Sequence, residues 1–115
     1  MIYSSELLKG TLKTIVLKQL KQNGKMYGYE ITQKVKELSN DRIAITEGAL
    51  YPTLHAMEAE GLVITEIEFI GKRVRKYYKL TKSGETTVKE KVKELSEFMI
   101  TMKTLLNIKP SSQFG

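Results

Sequence analysis

Cysteine and tryptophan are absent, and histidine occurs once, as His55. Without cysteine the chain has no disulfide, iron–sulfur cluster, thiolate zinc site or cysteine nucleophile. One histidine excludes a multi-histidine metal site and leaves Ser-His-Asp chemistry only if His55 itself serves. No stretch approaches the ~18–20 consecutive apolar residues of a membrane span. The opening residues, Met1-Ile2-Tyr3-Ser4-Ser5-Glu6, lack a basic segment followed by an apolar run, so no signal peptide is expected. What remains is 115 residues, 41% apolar and 28% charged. That composition fits one small soluble domain, or a domain plus one extra element, in the cytoplasm. It carries little catalytic equipment, and neither enzymatic activity nor a cofactor or metal is expected.

What is present is positive charge. Lys and Arg number 19 against 13 Asp and Glu, a net charge of +6. Residues 1–40 hold seven basic and three acidic groups, residues 41–84 seven and six, and residues 85–115 five and four. The middle block is nearly neutral, but its signs are segregated. Gly71 to Lys82 contains Lys72, Arg73, Arg75, Lys76, Lys79 and Lys82 and no acid. A short basic run is usually a solvated face. At a hairpin tip beside a groove-sized helix it acquires another meaning, because it can pair with phosphates and release counterions.

Apolar periodicity predicts a helix over 5–22 through Leu8, Leu12, Ile15, Val16 and Leu20, capped by Ser4 or Ser5 and stopped at Asn23-Gly24. A second helix is expected over 28–38 with Ile31, Val35 and Leu38 inward, and a brief strand at Ile43-Ala44-Ile45. Thr46 caps a third helix running to about Glu60, with Leu50, Leu54 and Met57 inward and Gly61 as its stop. Pro52 is awkward there: either the helix bends, or its regular part starts near Pro52. Residues 62–70 alternate with Val63, Thr65, Ile67 and Phe69 on one face and Glu66 and Glu68 on the other. Gly71-Lys72-Arg73 turns the chain, and Val74 to Leu80 returns as a strand. Thr81 caps a last, long helix to about Ile108, and Pro110 to Gly115 reads as a frayed tail.

Three helices followed by a basic hairpin is the layout of a mainly α (α+β) winged helix-turn-helix, with a two-stranded wing and a long C-terminal helix. The expected division is a DNA-binding domain at 1–80, a dimerisation helix at 81–108 and a flexible tail at 109–115. In the last helix Val88, Val92, Leu95, Met99, Met102 and Leu106 follow steps of four and three, the spacing of a coiled-coil seam, and Phe98 and Leu105 widen it. Part of this stripe packs on its own domain, but so long a helix leaves apolar surface for a second copy. Met99 and Met102 suit an imperfect interface and a pocket for an apolar ligand, although plain packing is their commoner role.

Three segments, in order, resemble one family. They are Tyr27-Gly28-Tyr29-Glu30-Ile31; Glu47-Gly48-Ala49-Leu50-Tyr51-Pro52-Thr53-Leu54-His55 running into Glu58-Ala59-Glu60-Gly61-Leu62-Val63; and Arg75-Lys76-Tyr77-Tyr78-Lys79-Leu80-Thr81 before Gly84. Together they resemble the PadR family of transcriptional regulators over about residues 5 to 106, in its short form with one C-terminal helix. Ala56-Met57 departs from the basic residue and leucine found in many members. The resemblance implies a homodimeric winged-helix protein on a near-palindromic operator. Such proteins usually act as repressors, and a small aromatic or drug-like molecule releases many of them.

Under that reading the start of the third helix, Thr46, Glu47, Gly48 and Ala49, approaches DNA. Small residues admit the backbone, and N–H groups there can bind phosphate. Tyr51 has a hydroxyl that can reach phosphate and a ring that can equally be buried. Thr53 and His55 point away from the inward face, and a solvated imidazole is the equal alternative to a contact. Lys72 and Arg73 are the foremost phosphate contacts, followed by Arg75 and Lys76; Tyr29 and Lys34 reach across the groove. Tyr77 and Tyr78 support the hairpin. Partners are double-stranded DNA, a second copy and a small effector, with no membrane. The alternative is a winged helix that holds a protein instead of DNA.

Overall fold

The computed structural model describes residues 3–109; Met1, Ile2 and the tail expected at 110–115 lie outside the described residues. The first predicted helix is two. α1 (Ser5–Leu8) is capped by Ser4, whose Oγ accepts the Leu7 N–H at 3.2 Å. α2 spans Leu12–Asn23. The break falls at Gly10-Thr11, where the Thr11 N–H and hydroxyl both donate to the Leu8 carbonyl, at 2.9 and 3.0 Å. The low helix propensity of Gly10 and a Thr11 hydroxyl that competes for the ladder together interrupt the helix there. α2 ends as expected at Asn23, with Gly24 at φ +75.

The expected strand at 43–45 is absent. Ile43 and Ile45 pack at the core's edge from an extended connector instead. The tight turn before it holds Asn40 and Asp41 at φ 54 and 64, a region short polar side chains tolerate. The strand that does form is β1 (Met26–Tyr27), which is too short to show a period. It pairs antiparallel with β3 (Arg73–Leu80), Met26 opposite Tyr78, and β3 pairs with β2 (Val63–Ile70). The sheet therefore has three strands in the order β1-β3-β2, and the wing is its outer part. A two-residue turn, Gly71-Lys72, joins β2 to β3. Gly71 has φ +62 at the first turn position, where hairpin turns of this length favour glycine.

α3 (Gly28–Leu38) and α4 (Glu47–Ala59) keep their expected limits. Ile31 and Val35 are buried, whereas Leu38 is exposed. α4 is continuous through Pro52 from a Thr46 cap, so its regular part does not wait for the proline. The missing N–H leaves the Gly48 carbonyl without its helical donor, which is tolerable because Gly48 is at the surface. At the other end Leu62 N–H donates to the Met57 carbonyl at 2.9 Å around Gly61, φ +75, a left-handed glycine stop.

α5 (Lys82–Leu105) is about 36 Å long at ~1.5 Å per residue, and the molecule extends 53 Å along its longest axis. Its start is locked to the α4–β2 junction. Thr81 Oγ accepts the Gly84 N–H at 3.0 Å and donates to the Gly61 carbonyl at 2.6 Å, while Thr81 N–H donates to the Leu62 carbonyl. The core gathers Val16, Leu17 and Leu20 of α2, Ile31 and Val35, Leu50, Leu54 and Met57, Val63 and Tyr78, and Val88 of α5. Burial holds the Tyr78 hydroxyl above its ordinary pKa.

Candidate nucleic-acid interface

The start of α4 is open. Thr46, Glu47, Gly48 and Ala49 are all exposed, and a methyl on Gly48 would meet nothing within 4 Å. Thr46 Oγ accepts the Ala49 N–H at 3.2 Å. A helix start offers no internal partner to the Glu47 and Gly48 N–H groups, so this end is suited to an anion. Farther along, the residues divide. His55 is exposed. The Thr53 hydroxyl turns back to the Ala49 carbonyl at 2.9 Å. The half-buried Tyr51 ring packs at the edge of the core with its hydroxyl over Gly28, where a Cβ would overlap it and lie 2.8 Å from the Tyr51 Cζ. Tyr51 is thus occupied in joining α4 to α3. On α3, Tyr29 is exposed, and Lys34 is half-buried 3.6 Å from Glu37.

The wing sorts its charges by face. Strand alternation puts Glu66, Glu68, Arg73, Arg75, Tyr77 and Lys79 on one side. There Glu66 bonds Lys79 at 3.0 Å and Lys25 at 3.4 Å, and Glu68 pairs with Lys25. The Lys79 bond, then Lys25, holds the Glu66 carboxyl below its usual pKa; Glu68 and Glu66 hold the Lys25 ammonium above its own. Arg75 lies 4.3 Å over the Tyr27 ring, which meets Tyr77 edge-on at 5.4 Å. This guanidinium is held inside the sheet's own aromatic stack. Lys72 and Arg73 stand exposed at the tip, and exposed Lys76 lies on the opposite, acid-free face. The acids that would repel a polyanion are therefore turned to one side and matched by lysines.

On α5, Val88 is 2% exposed in the chain's own core, so the first position of the expected seam offers a partner almost no surface. Val92 is at the border, Leu95 and Met102 are half-buried, and Phe98, Met99 and Leu106 are exposed, as are Ile100 and Leu105. A cleft between α2 and α5 is floored by Val88 and Val92 and rimmed by Lys18, Lys21, Lys89 and Lys93. A larger one, about 830 Å³, lies between α1, α2 and the Ala49–Pro52–Ala56 side of α4. Neither includes Met99 or Met102.

Three contributors escaped the sequence reading. Lys25, outside every predicted element, matches the wing's acids. Gly28 and Gly84 admit close approaches that only their lack of a side chain permits. Both glycines belong to the segments that carry the resemblance, but one chain's spacing cannot show what each touches.

A family model described as the transcriptional regulator PadR-like family matches residues 16–90. The chain is 35% identical over 75 residues to the transcriptional regulator Rv3488 of Mycobacterium tuberculosis, covering 65% of this chain and 67% of that one. Among solved structures it is similar to a transcriptional regulator from Clostridium thermocellum, with TM-score 0.78, 27% identity, and 91% of this chain and 100% of that one covered. It is also similar to a PadR family regulator from Eggerthella lenta, with TM-score 0.73, 32% identity, and coverage of 88% and 82%.

Proposed function

The chain belongs to the PadR-like family of transcriptional regulators, and from that premise we propose that it is a homodimeric repressor that binds a near-palindromic DNA operator. Its relatives are regulators rather than enzymes. Among the described residues, no helix is long and apolar enough to cross a membrane.

The observation that carries this reading is the sorted wing. Lys72 and Arg73 are exposed at its tip while Glu66 and Glu68 are matched by Lys25 and Lys79. In use, α4 enters the major groove with Thr46, Glu47, Gly48 and Ala49 leading. His55 follows on the exposed side, and Tyr29 and Lys34 reach the flanking backbone. Lys72, Arg73 and Lys76 neutralise phosphates. Tyr51, Thr53 and Arg75 act one step back, keeping α4 and the wing in place. The dimer forms through Leu95, Phe98, Met99, Met102 and Leu106, with Val92 at its inner edge. The operative division lies within α5: its first turns, with Gly84 and Val88, belong to the DNA-binding domain, and the remainder is the dimer arm. Release by a small aromatic or drug-like effector is the regulation that fits this family.

The test is retention of the purified protein on duplex DNA from upstream of its own gene, with unrelated duplex as competitor, at two salt concentrations. Specific retention that weakens steeply with salt is expected. Changing Lys72 and Arg73 together to Ala lowers affinity for all duplexes alike. A reporter driven from the same upstream DNA falls silent when the protein is present. A chain that ignores duplex DNA even at low salt overturns the reading in favour of a protein-binding winged helix.

A further inference from the structure

The wing is supported unevenly. β1 pairs with β3 only at Met26–Tyr78 and Tyr27–Tyr77, so from Lys76 and Ile67 outward the hairpin has two strands. Such a ribbon has no third neighbour to fix its twist, and twist is largest in two-stranded ribbons. The set of the outer hairpin relative to α4 therefore depends on what ties it back to the body.

Two ties reach back, both on the reverse face. Lys25, in the corner between α2 and β1, pairs with Glu68 and lies 3.4 Å from Glu66. Arg75 lies 4.3 Å over the Tyr27 ring. These anchors adjoin the start of α3. Tyr27 is its cap residue, with an N–H that donates to Glu30 Oε1 at 3.1 Å, and Gly28 is the seat of the Tyr51 ring of α4. The wing and α4 are thus fastened to the same short stretch of chain.

The two ties depend on each other. Glu68 and Arg75 stand directly opposite across the strands, where opposite charges attract. Yet they do not pair: Glu68 goes to Lys25, and Arg75 to Tyr27. Among the described residues Glu68 has no other salt-bridge partner, whereas Glu66 also has Lys79. Lys25 therefore keeps Glu68 off Arg75. Without it, Glu68 draws the guanidinium from the Tyr27 ring and both ties are lost.

We propose that Lys25 and Glu68 are positioning residues for DNA binding, which hold the outer hairpin at its working angle to α4 and leave Arg75 on Tyr27. This rests on the DNA-binding reading. It reverses the ordinary expectation for an acid near a polyanion: Glu68 strengthens association through geometry by more than its charge opposes it.

The experiment measures the affinity of the full chain, Glu68→Gln, Lys25→Ala and the double variant for the upstream duplex. Glu68→Gln removes one tie and binds roughly three- to fivefold more weakly, the upper range for one exposed ion pair. Lys25→Ala removes both ties and binds more weakly still, while Lys25→Arg keeps the pair and binds as the parent does. Adding Glu68→Gln to Lys25→Ala lets Arg75 return to Tyr27, so the double variant binds as Glu68→Gln does. One substitution thus weakens the parent and strengthens the Lys25→Ala chain. The δ-methylene protons of Arg75, shielded by the Tyr27 ring, report the tie by NMR in the free protein. Their upfield shift is kept in Glu68→Gln, lost in Lys25→Ala and regained in the double variant. Because the paired side chains are partly exposed, every variant melts within about 4 °C of the parent. A Glu68→Gln chain that binds as tightly as the parent, or more tightly, overturns the proposal and leaves the DNA reading in place. An Arg75 shift indifferent to Lys25→Ala overturns it too, as does a larger fall in Tm, which assigns the lost affinity to a loosened fold. A parent chain that binds no duplex overturns both readings, and this is seen before any variant is compared.

Discussion

Replacing Gly84 with alanine tests how the long helix is joined to the DNA-binding body. A methyl there would overlap the Leu62 carbonyl oxygen and lie 3.1 Å from both its carbon and the Leu80 Cδ2. That carbonyl is backbone and already accepts the Thr81 N–H at 3.0 Å. A carbon–oxygen contact normally needs about 3.3 Å, so the first turn of α5 must lift by roughly 1 Å. Lifting it strains the bonds of Thr81 to Leu62 and Gly61 and loosens Val88 from α2. Overpacking costs about 1–3 kcal/mol and a weakened hydrogen bond about 1 kcal/mol. Alanine's better helix propensity returns up to about 1 kcal/mol. The net is a loss of about 2 kcal/mol, or about 8 °C in Tm for a chain of this length. Thermal unfolding followed by circular dichroism, at one fixed protein concentration so that the proposed dimer contributes equally to both proteins, gives the answer. A Gly84→Ala protein that melts within 2 °C of the parent, or above it, refutes the close approach and with it the rigid seating of α5.

Gly48→Ala is the contrasting case: its methyl meets only open space. It should raise Tm by about 2–4 °C through helix propensity while weakening operator binding, since the methyl stands on the end of α4 proposed to approach DNA; unchanged affinity would remove Gly48 from the interface. Leu95→Lys puts a charge in the half-buried middle of the α5 stripe, and sedimentation should report monomers with much weaker operator binding. A variant that remains dimeric relocates the interface. The Glu66 carboxyl should titrate below its ordinary 4.5 by NMR. Its folded-state pKa is depressed, so its contribution to the wing is present above the unfolded value and is lost as pH falls through the folded one. Lys79→Ala should move the midpoint back up, and a midpoint indifferent to that change breaks the proposed pairing.

The elements legible in the sequence are those whose burial repeats. Leu50, Leu54 and Met57 mark the inner face of α4, and the wing alternates Val63, Thr65, Ile67 and Phe69 against Glu66 and Glu68; these turned out as read. Caps and stops were equally legible, because Thr46, Thr81, Gly24 and Gly61 act on their immediate neighbours. The errors fell where local propensity yields to pairing. Ile43-Ala44-Ile45 has the composition of a strand but no neighbour to bond, while Met26-Tyr27 has no period but lies alongside β3. The break at Gly10-Thr11 was hidden under a continuous apolar repeat.

For the candidate site, residue type named the basic tip and the small residues opening α4, since charge and size are written in the sequence. What each side chain has left to offer is decided by its neighbours. Tyr51 and Arg75 have the chemistry of DNA contacts, yet the fold engages one over Gly28 and the other on Tyr27. Val88 continues the stripe of α5, yet α2 covers it. Periodicity and charge are properties of a chain taken alone, and so the sequence by itself determined the order of the main helices and the two wing strands, the basic hairpin and the apolar stripe of α5. Availability is a property of distances between segments far apart in the chain. Only the tertiary structure could decide that Glu66 and Glu68 are matched by Lys25 and Lys79.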